Sequence, residues 1–210
     1  MAVAVALLAV LVAGIATVVT LAVTDDDDWS GHRGAMMSTG NGAGAGAGAM
    51  HGMHGTRVTS EYAYLAEMVA HHEEAVMGAR ELQRSDRPEM RAFGESIVES
   101  QTAQIDQMEQ WLAEWYPDRS GRVDYEPMMR DLDDLAGDEL DQVFLEDMVG
   151  HHMAAVMMSQ QLLVRGVADH DEVEDLARTI RDEQHAEIFQ MQQWMRDWFG
   201  SSAPMHGWRR

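Results

Sequence analysis

A ten-residue stretch that occurs twice constrains this chain more than any other feature. The text Met68-Val69-Ala70-His71-His72-Glu73-Glu74-Ala75-Val76-Met77 returns eighty positions on as Met148-Val149-Gly150-His151-His152-Met153-Ala154-Ala155-Val156-Met157. A second stretch, 97–116, matches 180–199 at an offset of 83: Gln101 answers Gln184, Ile105 answers Ile188, Met108 answers Met191, Trp111 answers Trp194 and Trp115 answers Trp198. Duplication at this period means one supersecondary unit laid down twice, each copy leaving an apolar face for the other to cover.

Each copy reads as two helices. The first spans 60–84. The second starts near Pro88, a residue suited to a first helical turn, and stops before Pro117. The third is predicted to begin at Asp138, an N-cap candidate after Gly137, and to end near Gly166. The fourth runs from Asp169 to Phe199, with Gly200 after it. Between the copies, 118–137 reads as a connector with a short helix around 128–135. Period-two alternation is absent, so no strand is predicted. The expected fold class is all-α, a four-helix bundle of two duplicated helical hairpins over 59–200, with 201–210 as a tail.

Upstream, residues 1–23 carry no charge. As a helix they reach about 35 Å, enough to cross a bilayer. The absence of a basic start and the poor cleavage text at Ala22-Val23-Thr24 favour an uncleaved anchor over 1–24, with a cleaved export signal as the alternative. The expected location is therefore the cell membrane, single-pass with an extracytoplasmic domain, or exported. Residues 25–58 read as a flexible Gly/Ala linker. Its segment Met50-His51-Gly52-Met53-His54 is a candidate auxiliary metal strip.

Net charge is −21, and the chain has no cysteine but 18 Met and 10 His. The acidity excludes a nucleic-acid binder, which needs clustered cations. The lack of thiols excludes disulfides, zinc–thiolate sites and cysteine nucleophiles. Thioether and imidazole remain as metal donors, and they suit soft and borderline ions.

Helical geometry gathers these donors. At about 100° per residue, His71 and His72 lie about 60° and 40° to either side of Met68, with Ala75 between them. His151 and His152 flank Met148 and Ala155 in the same way. The small Ala one turn on leaves room beside the rings. Burying four imidazoles without partners is costly, so ligation is the expected reason for them. His185, with Ile188, Met195 and Met191, falls in one arc of the fourth helix. Met77 and Met157 fall on the opposite side from Met68 and Met148, where another helix or a second copy of the chain could meet them. A His/Met set without Cys points to copper, as Cu(I) through Met and His or as Cu(II) mainly through His.

At these residues the sequence resembles the bacterial family called domain of unknown function 305. The resemblance covers about 60–199. Its first part is the His-His helix text, where Met158 sits at the family's Met spacing and Met77 falls one residue short. Its second part is Ile97, Gln101, Ile105, Met108, Trp111 and then Ile180, Gln184, Glu187, Ile188, Met191, Trp194, with Gln104 standing where the family has Glu. The resemblance implies a ferritin-like helical fold, an exported or membrane-tethered location, and copper binding or tolerance in some members.

Three functions follow as expectations. The first is a copper-binding or buffering protein whose ligands come from Met68, His71, His72, Met148, His151, His152, Met158, His185 and Met191. The second is a helical interaction or scaffold module of the envelope, without metal. The third is a di-metal oxidase, which normally needs Glu and a Glu-x-x-His motif in each half; Asp182-x-x-His185 is the only near match. No nucleophile elbow, phosphate loop or Cys/His dyad is present, so catalysis is not expected.

Overall fold

The first helix begins where a side chain can satisfy its free amides. Ser60 is extended, and its hydroxyl accepts the backbone N–H of Ala63 at 3.2 Å. From there α1 runs Glu61–Glu81 and tightens into one 3-10 turn, Leu82–Arg84. Pro88 opens α2, Pro88–Trp115. The third helix, α3, spans Gly137–Arg165 and closes on Gly166 at φ +59°, a left-handed position that favours glycine. The fourth, α4, spans Asp171–Phe199 and closes on Gly200 in the same way. The computed structural model describes residues 57–119 and 123–200. The expected anchor over 1–24, the metal strip at Met50, His51, Met53 and His54, and the tail 201–210 lie outside the described residues. Among the described residues there is no strand, and no helix is long and apolar enough to cross a membrane.

Two local expectations change. Ala136, not Asp138, occupies the N-cap of α3, without a side-chain cap. The short helix expected around 128–135 is absent, and 123–136 is irregular connector. The segment is anchored instead by long-range bonds. The N–H groups of Met128 and Met129 donate to Glu74 Oε1 at 2.7 and 2.8 Å, and that of Arg130 donates to Asp147 Oδ2 at 2.8 Å. Carboxylates on α1 and α3 thus satisfy the connector's backbone and fix its path along the bundle.

The helices pair as two antiparallel hairpins, α1 with α2 and α3 with α4, and the hairpins meet chiefly along α1 and α3. Buried Glu61 locks one end. It accepts the Tyr116 hydroxyl at 2.9 Å, the His170 Nδ1–H at 2.7 Å and the amides of Asp169 and His170. Two apolar clusters fill the bundle, and each draws on both copies. One joins Tyr64, Leu65 and Met68 to Ala155, Leu162, Ala177 and Ile180. The other joins their counterparts Phe144, Leu145 and Met148 to Ala75, Leu82, Gly94's neighbour Phe93, and Ile97. The duplication therefore folds with an approximate two-fold relation, and the boundary between the clusters falls at the two His pairs.

Close approach inside the first hairpin depends on Gly94. A Cβ there would stand 2.6 Å from the carbonyl oxygen of Ala79 and 2.9 Å from Leu82 Cβ. Neither atom can swing away, so Gly94→Ala should cost about 1–3 kcal/mol of overpacking, against about 1 kcal/mol returned by helix propensity. Thermal unfolding should show a Tm several degrees lower; an unchanged Tm would mean that the hairpin spreads freely.

Candidate metal centre

Where α1 and α3 face each other at mid-length, the His pairs meet. His71 is 1% exposed and His72, His151 and His152 are fully enclosed. The His71 and His151 rings stack across the bundle, centroids 3.6 Å apart and planes 34° from parallel. Within each pair the rings splay, at 6.2 Å for His71–His72 and 6.3 Å for His151–His152. The one-residue step of each pair thus sends one ring across to the other hairpin and one back toward its own second helix.

The outer rings have defined partners. His72 Nε2 lies 2.8 Å from Gln104 Oε1, and His152 Nε2 lies 2.6 Å from Glu187 Oε2. Both partner oxygens are acceptors, so Nε2 carries the proton in each ring. That choice of tautomer leaves Nδ1 as a lone pair, and both Nδ1 atoms are buried without a partner. A carboxylate or carbonyl holding one ring nitrogen while the other is free is the arrangement that orients a metal-ligating imidazole. Gln104 is itself braced, since its amide donates to Glu183 Oε2 at 3.0 Å. The inner rings are barer. Neither nitrogen of His71 has a hydrogen-bond partner, and His151 Nε2 sits 3.2 Å from Glu74 Oε2 without hydrogen-bond geometry. Gln101 and Gln184, equivalent positions on α2 and α4, are also buried with unpartnered amide atoms. A concentration of unsatisfied polar atoms at one level of an apolar bundle marks a place built to receive something.

The electrostatics favour the neutral form of His71, His72 and His151. Burial pushes the His72 imidazole down to about 3, and burial with the neighbouring histidines pushes His71 well below its ordinary value. Burial also lowers His151, against the pull of Glu74. Neutral imidazole is the form that binds metal. Glu74 is held below the usual carboxylate range: burial alone would raise it, but His151, the Tyr125 hydroxyl and the Met129 amide outweigh that.

The expected ligands divide. The four imidazoles come together. Met68 and Met158 lie in one apolar cluster and Met148 and Met191 in the other, all buried, on either side of the His level. His185 does not join them: it is exposed on the outer face of α4, against Phe189 at 4.9 Å. The inward residue of that turn is Gln184. The seam of α4 runs through Gln184, Met191 and Met195, and His185 is rotated about 100° out of it. Met77 and Met157 are exposed, at 61% and 43%. Among the described residues no three His, Asp or Glu side chains converge as around an ion. The donors form two splayed pairs joined by a stack. The sequence reading missed Glu74, Tyr125, Gln104 and Glu187 as site residues. The signal for Gln104 and Glu187 was partial: they occupy one position of the duplicated motif and both can accept, but that position does not say which ring they meet.

The fold and site together are those of a duplicated helical bundle with a buried imidazole quartet. The family model "domain of unknown function (DUF305)" matches residues 27–112 and 61–195, and the chain belongs to this family. No curated protein matches the chain. Among solved structures, CopM in its Cu(I)-bound form is 30% identical, covering 67% of this chain and 99% of that one with a TM-score of 0.60. CopM in a silver-bound form is 28% identical over 67% of this chain and 98% of that one, TM-score 0.59. A DUF305 protein of Streptomyces coelicolor, named as secreted, is 25% identical over 70% and 97%, TM-score 0.61.

Proposed function

We propose that this protein is an extracytoplasmic copper-binding protein that buffers or carries copper, a ferritin-like bundle held at the membrane, or exported, by segment 1–24. It performs no catalysis in this reading. One observation carries the proposal: Gln104 and Glu187 hold the Nε2 protons of His72 and His152, which leaves two buried Nδ1 lone pairs without a partner. Imidazole and thioether suit Cu(I), and imidazole alone suits Cu(II). The likeness to CopM, solved with Cu(I), Cu(II) and silver, supports the same cargo here. His71, His72, His151 and His152 are the proposed ligands, with Met68 and Met148 adjacent to them in the stripe.

The test is a competition titration of the full chain with Cu(I) and Cu(II). A variant with all four histidines replaced by Asn should bind at least about 100-fold more weakly; equal affinity would refute the site. A finer test separates ligand from support. Glu187→Leu should weaken copper binding about 10–100-fold, the usual effect of removing a ligand's outer partner. Glu187→Gln should cost far less, since Gln104 already does this work in the first copy. Equal losses in both variants would show that charge, not ring orientation, is what Glu187 supplies.

A further inference from the structure

A groove of about 1330 Å³ runs between α1, the end of α2 and the connector, and its lining includes Glu74 and Tyr125, which touch the inner rings of the His quartet. Its lining holds seven carboxylates and three guanidinium groups, so its field attracts cations. Two thioethers stand in it. Met77 is 61% exposed on α1, and Met129 reaches in from the connector. Met129 occupies space that exists because residue 78 is glycine: a Cβ there would lie 3.2 Å from its Sδ and 3.0 Å from its Cε. The second copy has Met158 at the equivalent position. In the first copy that position is glycine, and a connector methionine fills the space on the groove side.

The inner wall of this groove is Glu74 and Tyr125. Directly behind Glu74 lies His151 Nε2, 3.2 Å away, fully enclosed and without a hydrogen-bond partner. Behind Tyr125 lies His71, ring centroids 6.2 Å apart, whose two nitrogens are also unpartnered. Tyr125 donates its hydroxyl to Glu74, and the amides of Met128 and Met129 bind the same carboxylate. One carboxylate therefore fastens the connector to α1 and separates solvent from the inner imidazoles.

We propose that this groove is the port by which a soft monovalent cation reaches the buried histidines, with Met77 and Met129 as its first stop and the Glu74–Tyr125 contact as the shutter. The inference rests on the copper-binding reading and adds a route to it. The ion exchanges water for thioether sulfur at the mouth. It then passes as Tyr125 leaves Glu74, and is taken up by His151 and His71. No electron or proton transfer is required.

Stopped-flow loading of the full chain with Ag(I), a redox-inert soft cation, tests the route, with equilibrium affinity measured in parallel. Met77→Leu with Met129→Leu keeps the volume and removes the sulfur; loading should slow at least about 10-fold while the final affinity changes less than about 3-fold. Tyr125→Phe, which frees one side of the shutter, should speed loading and release together. Unchanged loading rates in the double Leu variant would overturn the port and leave the quartet standing. Unchanged affinity in His71→Asn/His151→Asn would overturn the quartet as the destination, and the port with it.

Discussion

His71→Leu should make the metal-free protein more stable and the copper-bearing protein less so. In the metal-free chain both nitrogens of this ring are buried and unpartnered between two apolar clusters. An unsatisfied buried polar group costs about 1–3 kcal/mol, and a leucine of similar size removes that cost. For a bundle of this size the gain appears as a Tm rise of about 2–4 °C per kcal/mol. With copper the order reverses. A bound ligand at 100 times its dissociation constant adds about 2.7 kcal/mol to the folded state, and the variant forfeits most of it. Thermal unfolding with a chelator and with copper reads both arms. A variant less stable than the parent under chelator would show that His71 is satisfied in solution and was not waiting for a ligand.

Acid should unfold the metal-free protein early. His71, His72 and His151 all titrate below their ordinary value when folded. The unfolded chain takes up their protons near pH 6.5, while the folded chain does not until far lower pH, about 3 for His72. Stability is thus complete above about pH 6.5 and falls as pH drops below it, by about 1.4 kcal/mol per unit for each histidine so held. Glu61 and Glu74, held below the ordinary carboxylate value, add a further loss of the same sign once pH drops below about 4.5. Total stability of such a domain is about 5–15 kcal/mol, so three histidines acting together can exhaust much of it by pH 5. Urea unfolding at pH 7.5, 6.0 and 5.0 should give a steeply falling free energy at constant m. His71→Leu should flatten the slope by one proton. A level profile from pH 7.5 to 5.0 would contradict the burial of neutral rings.

How much of this was written in the sequence depends on the range of each interaction. Pro88, Gly166 and Gly200 mark helix ends through their own backbone preferences, and the helices begin or stop beside them. The His pairs were legible because a helix converts spacing into direction at once. The connector was not, since Glu74 and Asp147 capture its amides from residues 54 and 17 positions away, and local propensity carries no record of that. His185 shows the limit of arc arithmetic. The buried seam of α4 is narrow enough that one residue's rotation separates Gln184 inside from His185 outside. The roles of Gln104 and Glu187 needed the register between the helices of each hairpin, which a single helix's pattern does not contain.

Each cluster of the core draws its side chains from both copies. A lone hairpin would therefore leave its stripe bare, and a half-length chain of this design could persist only as a pair of identical molecules. Two identical molecules must change together. Fusing them into one polypeptide lifts that obligation: Gln104 can differ from Glu187, Gly78 from Met158, and Glu74 can face a partner that Ala154 lacks. The join has given a symmetric vessel a front and a back.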